Sequence, residues 1–448
     1  MKVGCMKSLL TEHWSLTVKT MSVFFIALIL FWGCGDGDDN GTGPNVAPIQ
    51  PEQPIPPDGA VNWDLGERIQ WYCIDEDNDL IAYDFYLGTS NPPELVGTLD
   101  TYFYNHDPLE YQTTYYWQVI ADDGNDHRVT SPVWSFTTGK IYQVDDFVTN
   151  NAHKVYGRDG IIFLADDNFG MRIFDVTDTS LAGVRIDSVG SVRSTAFIYD
   201  VAIDGSEAYL VGFAGLEIFD ISDSTLPVFI VPEEGAFQND FNTEERTVRI
   251  DNDHAFMAWA DTASDSDNAG IYALDITNPA IPTLAGEYFY SDGAPNDMDI
   301  ANGYAYIADS LAGLVIVDIT DPDNLTLAGT YETPDYTIGV HVLGTTAYVA
   351  DGATGLLILD VADPANITLI GSYDTPGFAR DVFVNDDFAF IADYWNGGMQ
   401  IIDITDPSAP VFSASRDTRG GAAGVYVDDD YIYFADRWAG LILFEFQP

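Results

Sequence analysis

Ala347-Tyr348-Val349-Ala350-Asp351, then a short loop, then Gly355-Leu356-Leu357-Ile358-Leu359-Asp360 is the stretch that decides the fold of this chain. An aromatic-centred strand is followed by a Gly-led apolar run that ends on an acid. The same unit occurs seven times. Its aromatics are Phe163, Tyr209, Phe256, Tyr306, Tyr348, Phe390 and Tyr433, and its glycines are Gly170, Gly215, Gly270, Gly313, Gly355, Gly398 and Gly440. The closing acids are Asp175, Asp220, Asp275, Asp318, Asp360, Asp403 and Glu445. Successive glycines stand 45, 55, 43, 42, 43 and 42 residues apart, a period that belongs to four-stranded propeller blades.

Each unit parses as four strands. An inner strand reads apolar-x-apolar, as in Val340-His341-Val342 and Val382-Phe383-Val384. The aromatic and Gly-led strands follow, and the fourth comes after a turn such as Asp318 to Pro322 or Asp403 to Pro407. Pro stops further pairing there, while Asp can bond nearby main-chain N–H groups. The last unit runs out at Pro448 after its third strand, so Ile141 to Phe147, lying ahead of the first unit, is expected to complete it. Closure matters because an open ring would leave sheet edges and a blade face uncovered. Leu314-Val315-Ile316-Val317-Asp318 resembles the motif of the LVIVD-repeat family, and all seven units are similar to it. That resemblance implies a β-propeller of bacterial surface proteins and says little about molecular function.

Residues 58–139, with a start as early as residue 46, read as a small β-sandwich of short strands between turn-rich stretches. The run Leu109 to Val119 resembles the signature of fibronectin type III domains, with Tyr111 in place of the usual proline. The resemblance implies that Tyr115 is a tyrosine-corner residue, its hydroxyl bonded back to main chain. Trp71 and the closing Ser131 to Phe136 fit the same family. The expected fold class is therefore all-β, with a seven-bladed β-propeller over residues 140–448 closed by 141–147, preceded by a fibronectin type III-like sandwich.

The N-terminus reads as an export signal over residues 1–33. Lys2, Lys7 and Lys19 give a basic flank, and Val23 to Trp32 is an apolar stretch too short to span a bilayer. Leu30 to Cys34 resembles a lipoprotein box, which implies acylation of Cys34. Residues 34–57 form an acidic Gly/Pro-rich tether. Processing removes three Lys and Glu12 from 17 basic and 71 acidic residues, leaving 14 against 70 and a net charge near −56. Such a charge excludes unaided binding to nucleic acid or anionic lipid. The expectation is a monomeric protein of the cell envelope, at the outer membrane or cell surface, touching the membrane only through its lipid.

In a propeller, the loop between second and third strands opens on the usual binding face. Face candidates are Phe169, Phe213, Trp259, Tyr394, Trp395, Asn396, Arg437 and Trp438, with His341 on an inner strand near the channel. Aromatic rings beside charges suit a glycan face or a peptide side chain. Asp166, Asp309, Asp351, Asp393 and Asp436 recur at one position, which favours loop capping over ligand contact. Two insertions, about 231–245 and 260–269, fall on the same face. Asp75, Asp77 and Asp79 crowd oxygen ligands suited to calcium, although a polar hairpin explains them more simply. No H-E-x-x-H, C-x-x-C, G-x-S-x-G or Gly-rich phosphate motif occurs, and no cofactor is required. The leading expectation is a non-enzymatic module that binds a protein or glycan partner. The alternatives are a surface hydrolase or lyase using carboxylates at the propeller mouth, and a calcium-stabilised structural surface protein.

Overall fold

The computed structural model describes residues 45–448 except 64–67, 77–78, 107–108, 150, 167–168, 177–185, 195–196, 214, 231–242, 262–267, 292, 386, 396, 419, 429–430 and 448. The expected signal segment, Cys34, Asp77, Asn396 and most of both insertions lie outside these residues. Among the described residues, no helix is long and apolar enough to cross a membrane.

The N-terminal part is two facing sheets. One holds Glu52–Ile55, Ile69–Tyr72 and Phe103–Tyr104; the other is built around Thr114–Asp122, Ala82–Gly88 and Trp134–Thr138. Alternation places Tyr115, Trp117, Val119 and Ala121 inward along one strand, against Trp71, Phe85, Trp134 and Phe136. Trp71 stacks on Phe85 with ring centroids 5.6 Å apart. The Glu110 N–H donates to the Tyr115 hydroxyl at 3.0 Å, so the buried phenol has a partner.

From residue 141 onward the described residues form seven four-stranded antiparallel sheets. Sheet I is Ala152–Arg158, Ile161–Asp166, Gly170–Asp175 and Asp187–Val192; sheet II is Ile198–Asp204, Glu207–Gly212, Gly215–Asp220 and Val228–Phe229. Sheet III is Thr243–Asp251, His254–Asp261, Asn268–Asp275 and Thr283–Ser291; sheet IV is Asp297–Ala301, Tyr304–Asp309, Gly313–Asp318 and Thr326–Tyr331. Sheet V is Thr337–Leu343, Thr346–Asp351, Gly355–Asp360 and Thr368–Tyr373; sheet VI is Phe378–Val384, Phe388–Tyr394, Gly398–Asp403 and Val411–Arg416. Sheet VII joins Ala422–Asp428, Tyr431–Asp436 and Gly440–Phe446 to Ile141–Phe147, which pairs antiparallel with Gly440–Phe446.

The first strands of successive sheets are neighbours, and that of sheet VII returns to that of sheet I. Apolar clusters fill the gaps between consecutive sheets. Between VII and I, Val155, Leu164 and Phe174 meet Tyr433, Leu441 and Leu443. Between IV and V, Tyr306, Leu314 and Ile316 meet Val340, Val349 and Leu357. Both faces of each sheet are therefore dry, which explains runs such as Gly355–Asp360 that are apolar at every position before the acid. A circular succession of such sheets is a β-propeller.

Backbone contact spaces the sheets at their outer rim. A Cβ on Gly329, in the fourth strand of sheet IV, would lie 1.8 Å from the Pro364 carbonyl oxygen of sheet V. Gly286 and Gly371 face Pro322 and Pro407 in the same way, at 2.3 and 2.2 Å. The turns themselves are tied by their acids. Asp318 Oδ1 accepts from the Thr320 N–H (2.9 Å) and hydroxyl (2.6 Å), and Asp403 accepts likewise from Thr405. These bonds to the Thr405 hydroxyl and N–H hold the Asp403 carboxyl below the usual carboxylate range.

Candidate functional site: the axial pocket and its rim

Six of the first strands begin with a β-bulge. The register slips between Ala152 and Lys154, Ile198 and Asp200, Glu245 and Thr247, Thr337 and Gly339, Ala379 and Asp381, and Ala422 and Gly424. A bulge adds one residue opposite a single partner and re-aims its side chain. The bulged residues are His153, Tyr199, Arg246, Ile338, Arg380 and Ala423, and Asn296 precedes the first strand of sheet IV. All seven line one cavity of about 100 Å³, together with Lys154 and Arg437. The fold thus brings one side chain from every sheet to a common axial pocket.

The pocket is cationic in a strongly acidic chain. Among the described residues its lining holds Lys154, Arg246, Arg380 and Arg437 and no carboxylate. Burial first, and then the charges of Arg437, Arg380 and Arg246, hold the His153 imidazole down to about 3, so it is neutral at ordinary pH. Burial and the like charge of Arg437 also hold Arg380 below the usual guanidinium value.

One to three residues further along the first strands lies a belt of ion pairs. Lys154 Nζ is 2.9 Å from Asp297 Oδ2 and 2.8 Å from Asp381 Oδ1. Arg249 reaches Asp200 Oδ2 at 2.7 Å and Asp297 Oδ1 at 3.0 Å. Burial works against the charge on Asp297, but Lys154 and Arg249 together outweigh it and hold its carboxyl low. The belt ties sheets I, II, III, IV and VI across the axis and neutralises Lys154 and Arg249. Arg380 and Arg437 differ: among the described residues neither has a carboxylate within ion-pairing distance. Each instead lies over the Tyr394 ring, at 5.3 and 5.8 Å.

Around Tyr394 the structure gathers four residues singled out from the sequence. Tyr394 is buried and meets Trp395 edge-on at 4.6 Å, with Trp438 at 6.5 Å and Arg437 over its ring. Trp395 and Trp438 are 63% and 57% exposed. Trp395 has a φ of 56°, a left-handed conformation that is costly for a bulky side chain. Phe213, 49% exposed, packs on the pocket residue Tyr199 at 5.6 Å. Phe169 lies under the Arg172 guanidinium, 4.8 Å away.

Two expected face residues lie elsewhere. Trp259 is only 4% exposed and stacks on Tyr272 at 5.4 Å within the apolar layer between sheets II and III. Its place in the repeat explains this, because Trp259 pairs with Gly270 just as the buried Asp309, Asp351, Asp393 and Asp436 pair with the glycines of their own sheets. His341 lies further along the first strand of sheet V than the pocket residue Ile338; its ring meets Phe383 at 4.8 Å and Nδ1 is 3.8 Å from Asp299.

The repeated aspartates are loop anchors. Asp393 accepts from the Gly377 N–H (2.8 Å) and the Thr375 hydroxyl (2.9 Å), and Asp436 from the N–H groups of Gly420, Trp438 and Ala439. Burial pushes the Asp393 carboxyl up to about 6. In the sandwich, Asp75 Oδ1 accepts from the Asp79 N–H, and Asp79 Oδ2 from the Asn125 amide. No group of three metal-ligating side chains is found among the described residues.

Sequence reasoning passed over the pocket ring, although its signal was present. Each of the seven residues stands thirteen positions before Asp166, Gly212, Trp259, Asp309, Asp351, Asp393 or Asp436. Attention to the repeated position hid the variable one tied to it.

Circular stacking and a ring-lined axial pocket define a β-propeller. The WD40 β-propeller domain of Doa1, a crystal structure, superposes with a TM-score of 0.51 at 8% identity, covering 67% of this chain and 94% of that one. The computationally designed Ika8 protein gives 0.48 at 7% identity over 68% and 99% of the two chains. More particularly, the chain carries LVIVD repeats, matched at residues 198–231, 265–289, 292–333, 335–375, 376–418 and 419–443. These are six segments, and the first unit, with Phe163, Gly170 and Asp175, lies outside them. No curated protein matches the chain.

Proposed function

We propose that this chain is a cell-envelope lipoprotein, acylated at Cys34, whose propeller face binds a glycan. The seven sheets act as seven blades of one ring, with Ile141–Phe147 as the strand that closes the last. The sandwich serves as a fibronectin type III-like spacer; the bond between Glu110 and Tyr115 supports that assignment.

The observation that carries the reading is the rim of the axial pocket. Trp395, Trp438 and Phe213 expose flat rings around a cavity, and Trp395 does so from a strained backbone. Strain persists where the surrounding structure over-determines it, commonly at ligand clamps. Exposed indole rings gain burial when a sugar face covers them. Among the described residues that line the pocket, the charged groups are cations, which suits capture of a polar ligand.

Capture of envelope glycans by the full chain, compared with Trp395→Ala/Trp438→Ala, tests the proposal. The double variant should keep its melting temperature and lose most capture. Equal capture by both proteins would remove the face from consideration. Turnover of glycans, esters or peptides that depends on face residues would replace binding with catalysis.

A further inference from the structure

We infer that the axial pocket is an oxyanion subsite that takes the acidic substituent of the bound glycan, the carboxylate of a uronic acid unit. The inference rests on the reading of this face as the glycan-binding face, and it names the ligand class.

The argument begins from charge placement. With 71 acidic residues against 17 basic, a pocket whose described lining holds Lys154 and three arginines and no carboxylate runs counter to the composition. Lys154 is matched by Asp297 and Asp381 beneath the pocket. Arg380 and Arg437 have no carboxylate within ion-pairing distance among the described residues; they flank one tyrosine ring, and Arg437 adds to the cost of the charge on Arg380. Arg437 Nε is buried without a hydrogen-bond partner among the described residues. A guanidinium presents paired N–H donors whose geometry fits a carboxylate, and two of them facing a half-enclosed cavity focus potential on an anion. The bulges supply the aim, because they turn His153, Arg246 and Arg380 to the axis from three different sheets. The cavity of about 100 Å³ admits a small oxyanion group, while the exposed rings of Trp395, Trp438 and Phe213 lie outside it for the rest of a sugar.

His153 is a built-in reporter. Its imidazole is held near 3 by burial and by the arginines, so an anion entering the pocket must raise that value. The experiment titrates the full chain at constant ionic strength with glucuronate, glucose, inorganic sulfate and a tri-glutamate peptide, reading heat of binding and the His153 ring by NMR. Glucuronate should saturate one site, raise the His153 pKa and bind at least about tenfold more tightly than glucose. Sulfate should raise the same pKa. Arg380→Gln and Arg437→Gln should each weaken glucuronate by about tenfold. The His153 titration in the unaltered protein needs no variant to fold. No response of His153 to either oxyanion, with Trp-dependent glycan capture intact, would overturn the subsite and leave the binding face standing. Loss of all glycan capture with a clear sulfate response would fail the proposed function while upholding the anion pocket. Tighter binding of tri-glutamate than of glucuronate would overturn the glycan as its source.

Discussion

Replacing Lys154 by Met removes the cation that spans the axis and keeps most of its apolar stem. Lys154 Nζ touches carboxylates of sheets IV and VI at 2.9 and 2.8 Å, and its side chain is only 18% exposed. The two carboxylates then fare differently. Asp297 keeps Arg249 at 3.0 Å, whereas among the described residues Asp381 keeps the Val425 N–H at 3.0 Å and no ion pair. Asp381 is 5% exposed, and burial already raises its carboxyl pKa with Lys154 present. Breaking a buried pair by removing one partner costs about 3–5 kcal/mol, chiefly through the charge left behind. Urea denaturation at pH 8 should show a loss in that range. The sign with pH follows from proton uptake. Without Lys154, Asp381 in the folded state binds a proton at higher pH than in the unfolded chain, so the deficit should shrink as pH falls toward 5. Asp381→Asn in the Lys154→Met background should recover about 2 kcal/mol by removing the stranded charge. A loss below about 1 kcal/mol at pH 8, or a double variant no better than the single, would refute the cross-axis tie.

Gly329→Ala should cost at least about 1–3 kcal/mol, because its Cβ would meet the Pro364 carbonyl oxygen at 1.8 Å, while Gly97→Ala, with open space around it, should be near neutral by thermal melt. Trp395→Gly should hold or raise the melting temperature by relieving a φ of 56°, yet weaken glycan capture; a clear fall in melting temperature would make Trp395 a packing residue. His153, neutral when folded down to about 3 but with an ordinary unfolded value of 6.5, favours unfolding as pH falls between those limits. His153→Gln should therefore lose less stability than the parent protein from pH 6.5 to 4, and parallel pH profiles would contradict the buried neutral imidazole. Deleting residues 141–147 should lower the melting temperature of the whole propeller, since Gly440–Phe446 would lose its partner strand; an unchanged melt would reject closure.

Much of the fold was legible because the repeat is a local pattern. Gly355 to Asp360 names a strand dry on both faces, Asp318 and Thr320 name a turn, and the shared spacing names the blade. The recurring aspartates were also readable as anchors, since a residue repeated at one position answers to the repeat's own backbone. Trp259 stands where other units carry those aspartates and is buried as they are; that the position faces inward between sheets is a tertiary fact which the change of residue type concealed.

The chain's own order of residues settled the strands, the turns and the stacking of apolar faces, because those rest on contacts between near neighbours and on periodicity. The axial pocket belongs to the tertiary structure. His153, Tyr199, Arg246, Asn296, Ile338, Arg380 and Ala423 are spread over some 270 residues and are of six residue types, and only the circular succession of the sheets makes them one surface. The same closure places Arg380 beside Arg437 and Lys154 beside Asp381, so charges distant along the chain acquire their meaning only when the ring brings their first strands to one axis.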